Sequence, residues 1–172
     1  GSRIWDIDGN EFVDYHNGYG VMVVGHAHPR IVEAVQRRVE LGTHFAQPTA
    51  DALAVAENLA ERTGLPLWRF GNSGTEGVEA AIKLVRYHTR RPYLLAFTGA
   101  FHGRSLGALS LTASKSAYRQ GFAPFLPGVV HLPFPNPFRP PLGARPEEAG
   151  DAVLDHLEHL FQTVLPPEEV AA

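Results

Sequence analysis

Two short segments hold the residues best suited to chemistry. The first is Phe70-Gly71-Asn72-Ser73-Gly74-Thr75-Glu76-Gly77. Small residues at such a corner let the backbone approach a ligand closely, and the first amides of the helix that follows lack intrahelical partners at the positive end of its dipole. A phosphate bound there is stabilised by geometry already present. Gly74 and Thr75 would supply amides, and Ser73 and Thr75 hydroxyls. The same residues also spell a helix cap. Ser73 followed three positions later by Glu76 is a capping box, which would satisfy those amides internally. The segment is neither a P-loop nor a dinucleotide fingerprint, so it does not argue for an ATPase or a dinucleotide site.

The second segment is Thr98-Gly99-Ala100-Phe101-His102-Gly103-Arg104. Phe101 offers a flat face to an aromatic ligand, and Arg104 a planar donor fork to a carboxylate. The plainer alternative makes Phe101 a core residue and Arg104 a surface one. Histidines at 26 and 28, and at 156 and 159, have spacings that metal sites use, but no acidic or histidine cluster joins them, and no metal is expected.

The elements that must position these residues follow from periodicity. Two alternating runs, residues 3–7 and 11–15, flank Asp8-Gly9-Asn10 and predict a hairpin. Ile31, Val32, Val35 and Val39 recur at helical spacing after Pro29, predicting a helix to about Leu41. A second helix is expected from Thr49 to Arg62, carrying Leu53, Ala56, Leu59 and Ala60 on one face and stopping at Gly64. Leu67–Phe70 reads as a short strand leading into a helix from Thr75 to Arg90 with Val78, Ala81, Ile82 and Val85 inward. Tyr93–Phe97 reads as a buried strand. The order helix, strand, helix, strand favours a parallel sheet covered by helices, and ligands collect outside the carboxyl ends of such strands.

Beyond Thr98 the pattern weakens, with Gly128–Leu132 the next strand and Pro133–Pro146 unsuited to regular structure. Ala152, Val153, Leu157, Leu160, Phe161 and Val164 restore the helical period before Pro166-Pro167, and residues 169–172 resemble the approach to another strand.

Composition narrows the class. Fifteen basic and 18 acidic residues give a net charge of −3, so no broad positive field holds nucleic acid or an anionic membrane. Cysteine is absent, which removes disulfides and thiolate chemistry. No apolar run is long enough to span a bilayer, and a cytoplasmic location is expected. Lys83 and Lys115 are the only lysines available to any mechanism that needs an amine.

Taken with Gly25-His26-Ala27-His28-Pro29, the two segments resemble class III aminotransferases, the pyridoxal-phosphate enzymes of fold type I that include 4-aminobutyrate, ornithine and acetylornithine aminotransferases. The resemblance runs from Trp5-Asp6-Ile7-Asp8-Gly9 through Asn72-Ser73-Gly74-Thr75-Glu76-Gly77-Val78-Glu79-Ala80-Ala81-Ile82-Lys83 to Gly121-Phe122. It implies an N-terminal segment over 1–48 and the first, incomplete part of a large, mainly parallel-sheet cofactor domain over 49–172. It implies that Ser73, Gly74 and Thr75 hold the phosphate of pyridoxal 5'-phosphate and that Phe101 stacks on its ring, with His102 and Gly103 completing that motif. Arg104 and Tyr19 match positions that contact substrate.

The implied reaction moves an amino group from an amino acid or ω-amine to a 2-oxo acid in a homodimer. A racemase or aminomutase of the same family is the alternative, as is an inactive fragment that retains only phosphate binding. Family members are much longer. The resemblance places the acidic partner of the pyridine nitrogen and the Schiff-base lysine beyond residue 172, with neither Lys83 nor Lys115 in that position. The 172 residues alone are therefore expected to be inactive.

Overall fold

The computed structural model describes all residues, 1–172, and they fall into two compact units, Gly1–Trp68 and Arg69–Ala172.

In the first unit β1 (Arg3–Trp5) pairs antiparallel with β2 (Glu11–Val13), Ile4 lying opposite Phe12. The hairpin is closed by Asp6, whose carboxylate accepts from the amides of Asp8 (3.0 Å) and Asn10 (2.8 Å) and from the Asn10 side chain (2.8 Å). Those bonds hold the Asp6 carboxyl below its ordinary pKa, the Asn10 side chain contributing most. The single turn α1 (Asn17–Gly20) has left-handed backbone: φ is 51° at Asn17, 59° at Gly18, 61° at Tyr19 and 84° at Gly20. Helix α2 (Pro29–Val39) starts on a proline whose missing N–H costs nothing at that position. Helix α3 (Ala50–Thr63) is capped by Thr49, which accepts from the Ala52 amide, and ends on left-handed Gly64. The predicted apolar stripe of α2 is present but uncovered: Ile31, Val32, Val35 and Val39 are all exposed, as is Leu53 on α3.

The second unit carries α4 (Gly74–Thr89), β3 (Leu94–Phe97), α5 (Leu106–Leu111), β4 (Val129–Leu132) and α6 (Ala149–Thr163). Strands β3 and β4 are parallel, with Leu94 opposite Val129 and Phe97 opposite Leu132. On the other side of β3, Tyr93 forms a parallel bridge with Val170, and the Leu95 amide donates to the Ala172 carbonyl at 2.8 Å. The expected approach of residues 169–172 to a strand is therefore realised as pairing against β3. Ile82, Leu94, Ala96 and Leu111 form the core, with Val78, Val85, Leu126 and Val129 packed against it.

Three expectations need correction. Leu67–Phe70 is irregular, with Leu67 and Phe70 exposed. A strand needs a neighbour to accept its ladder, and none pairs there. The corner before α4 is thus entered from a loop. Ala81 faces solvent, because the buried stripe of α4 is narrowed to Val78, Ile82 and Val85. Val164 is likewise exposed, at the cap position just past the end of α6, and Leu165 is buried in its place. Helix α5, six residues long, has too little periodicity to be read from sequence.

Candidate functional site

At the start of α4, Ser73 is extended (φ −157°, ψ 162°) and its hydroxyl accepts from the Glu76 amide at 3.3 Å. The Glu76 carboxylate reaches back to the Asn72 amide at 2.5 Å. This is a capping box displaced by one residue, since the reciprocal bond goes to the residue before the cap. The Gly77 amide bonds the Ser73 carbonyl at 3.1 Å, which begins the regular ladder. The amides of Gly74 and Thr75 are left with no protein acceptor. The cap satisfies one orphan donor, and the amides of Gly74 and Thr75 remain free at the positive end of a 16-residue helix.

The second loop leaves β3 and meets that helix start. Ser105 Oγ lies 2.7 Å from Thr75 Oγ1, and the Ser105 amide donates to Thr75 Oγ1 at 3.4 Å. Glycine is required at 103, where φ is 137° and a Cβ would sit 2.6 Å from the Cβ of Thr75. Thr112, fully buried, fixes the loop from behind: its hydroxyl accepts from the His102 amide at 2.9 Å and lies within reach of the Gly103 and Ala108 carbonyls. His102 is half-buried and its ring makes no hydrogen bond.

Phe101 is half-exposed, so the core alternative for it fails. Tyr118 meets it edge-on with centroids 5.6 Å apart. The Arg104 guanidinium lies 4.9 Å over the Tyr118 ring and 5.6 Å over Phe101, and it has no acidic partner in the chain. The planar cation is thus held against aromatic faces with its donor fork free of any carboxylate in the chain.

Tyr19 belongs to the first unit and is described by its own surroundings. It is 91% exposed in a left-handed conformation that a bulky residue seldom adopts, and its ring meets His16 edge-on at 4.1 Å. The turn is held by Asp14, whose carboxylate accepts from the amides of Asn17 (2.8 Å) and His16 (2.9 Å) and bonds His26 Nε2 (2.7 Å). The Asn17 amide first, and then His26, keep the Asp14 carboxyl below its ordinary pKa.

The structure thus joins Ser73, Gly74 and Thr75 to the loop of Phe101, His102 and Arg104. It also adds four residues that sequence reasoning passed over: Glu79, Ser105, Thr112 and Tyr118. One signal for Glu79 was available, because it falls one helical turn after Thr75 on the same face.

The second unit is thus a parallel α/β unit whose helix start and neighbouring strand-end loop together present free amides, an aromatic face and an unpaired guanidinium. The chain belongs to the class-III aminotransferase family: the family model Aminotransferase class-III matches residues 1–172. It is 41% identical to an alanine/serine racemase of Pyrococcus horikoshii, a match over 100% of this chain and 38% of the racemase. It is 36% identical to a probable 4-aminobutyrate aminotransferase of Bacillus subtilis, over 99% of this chain and 41% of that protein. Among solved structures it superposes on an (S)-enantioselective omega-transaminase from Thermomicrobium roseum with a TM-score of 0.86 at 30% identity, covering 100% of this chain and 41% of the other. The fold is that of the fold type I transaminases, and the chain spans about two-fifths of the length of the relatives it matches.

Proposed function

We propose that this chain forms the phosphate-binding part of a pyridoxal-phosphate-dependent aminotransferase that moves an amino group from an amino acid or ω-amine to a 2-oxo acid. The observation that carries the reading is the pair of unpartnered amides at Gly74 and Thr75, set at the start of α4 and packed through Thr75 against the loop of Phe101 and Arg104. The residues fit the cofactor. The two amides suit a phosphate ester, the Ser73 hydroxyl borders the same corner, and the half-exposed Phe101 ring offers a face to the pyridine. His102 shares the loop, its amide bonded to Thr112 and its ring without a hydrogen bond. When bound, pyridoxal phosphate supplies the electron sink for the reaction.

The chain's own residues bind and orient. Arg104 takes the substrate carboxylate, and Tyr19, whose ring is exposed, is assigned separately to substrate contact. The reading carries with it the assignment of 1–48 to an N-terminal segment and 49–172 to the large domain, a homodimer, and a cytoplasmic enzyme. No helix is long and apolar enough to cross a membrane.

A second reading, racemisation without transfer, is favoured by the identity to the alanine/serine racemase. The test uses the full-length protein that contains these residues, supplied with pyridoxal phosphate, alanine or 4-aminobutyrate, and 2-oxoglutarate. Appearance of glutamate supports transamination. Loss of alanine chirality with no glutamate formed supports the racemase and overturns the transfer reading. The isolated 172-residue chain is expected to turn over neither substrate.

A further inference from the structure

The carboxylate of Glu79 ties α4 to the segment that follows the Phe101 and Arg104 loop. It stands four residues after Thr75, so both side chains leave the same face of α4. Its Oε1 accepts from the Ser105 hydroxyl at 2.5 Å and from the Ala108 amide at 3.0 Å, in the first turn of α5. Room for the carboxylate is made by Gly107, where a Cβ would lie 2.7 Å from Oε1 and 2.8 Å from Cδ of Glu79. Ser105 then extends the chain to Thr75, with 2.7 Å between the two hydroxyl oxygens.

The order of donors follows from valence. Ser105 has one hydroxyl proton and donates it to Glu79, so in the bond between the two hydroxyls Thr75 donates to Ser105. Charge-assisted bonds of this kind are shorter and stronger than neutral ones, and a connected polar chain loses more than one bond when a member is removed.

We propose that Glu79 is a positioning residue for the phosphate site, fixing Thr75 through Ser105 and setting the spacing between the free amides of α4 and the loop that bears Phe101 and Arg104. The inference rests on the cofactor reading above and assigns it a control residue. A staple that merely joined two helices would support folding and leave ligand affinity alone. This one ends on Thr75, whose own amide has no protein acceptor.

The experiment measures the dissociation constant of pyridoxal phosphate, by absorbance and fluorescence titration, together with the melting temperature of the cofactor-free form. It uses the full-length protein and the variants Glu79→Ala, Glu79→Gln, Ser105→Ala, Thr75→Ala and Glu79→Ala with Thr75→Ala. Glu79→Ala is expected to weaken binding about tenfold. Glu79→Gln keeps an acceptor oxygen and is expected to stay within about threefold of the wild type. Ser105→Ala, which leaves the Glu79 to Ala108 bond in place, is expected to reproduce the loss even if Glu79→Ala folds poorly. The double variant is expected to bind no more weakly than the worse single one, because both act through one chain. A lowered melting temperature with unchanged affinity in both Glu79→Ala and Ser105→Ala, or fully additive losses, would overturn the inference while leaving the cofactor reading intact. A wild type that binds no pyridoxal phosphate would sink both.

Discussion

The Tyr118 ring meets the Phe101 ring edge-on, with 5.6 Å between centroids and 76° between planes, and the same Tyr118 carries the Arg104 guanidinium 4.9 Å above its face. One side chain thus braces both the ring proposed to lie on the cofactor and the cation proposed to take the substrate carboxylate. Tyr118→Ala is expected to raise KM for carboxylate-bearing substrates about tenfold, the loss of roughly one cation–π and one aromatic pair. Tyr118→Phe keeps both faces and is expected to change KM little. Steady-state kinetics of the full-length enzyme check this, and equal effects of the two substitutions would contradict it.

Ser73 separates the cap from the ligand site. Ser73→Ala removes the acceptor for the Glu76 amide and is expected to cost about 1 kcal/mol in denaturant unfolding. Ser73→Asp restores a cap, as aspartate is among the preferred residues there, but sets a negative charge beside the proposed phosphate. It is expected to keep near wild-type stability while weakening pyridoxal phosphate binding about tenfold, equal binding being the contrary result.

At Gly103 two costs coincide. The backbone has φ 137°, and an added Cβ would press on Thr75 and, at 3.0 Å, on the Cβ of Ala108. Gly103→Ala is expected to destabilise by about 3 kcal/mol through strain and overpacking. A variant with wild-type stability in chemical denaturation would show that the loop does not pack on the helix start as described.

Asp14 supplies a pH dependence. Its carboxyl is held below the ordinary value of 3.8 by the Asn17 amide and by His26. A group whose folded pKa is lowered contributes stability that is present above its unfolded pKa and is lost as pH falls through the folded one. Thermal melts are therefore expected to show Asp14→Asn less stable than wild type near neutrality, with the gap closing below about pH 4. A gap that stays constant down to acid pH would contradict the role given to Asp14 in holding the Tyr19 turn.

How far the sequence could be read depended on whether the deciding force was local. Asp8-Gly9 marked a turn whose chemistry lies within five residues, and the hairpin formed around it. Helices α2, α3, α4 and α6 announced themselves by period, with Ser73 and Gly64 as cap and stop signals. Leu67–Phe70 misled because a strand is defined by a partner, which the segment itself does not encode. The site divided in the same way. Ser73, Gly74 and Thr75 were legible because helix starts have a local grammar, whereas Ser105 becomes relevant only when the chain brings it 2.7 Å from a residue 30 positions earlier. Tyr118 is a comparable case, since nothing near it in sequence indicates that it will brace Phe101 and Arg104. The stripe of α2 shows the converse, a periodicity read correctly whose apolar residues stay exposed.

The central claim is that the phosphate of pyridoxal phosphate sits on the amides of Gly74 and Thr75. A crystal structure of the full-length protein grown with pyridoxal phosphate tests it most directly. Phosphate oxygens are expected about 3 Å from both amide nitrogens, with the Phe101 ring against the pyridine. A cofactor phosphate bound elsewhere, with those amides facing protein, would contradict it.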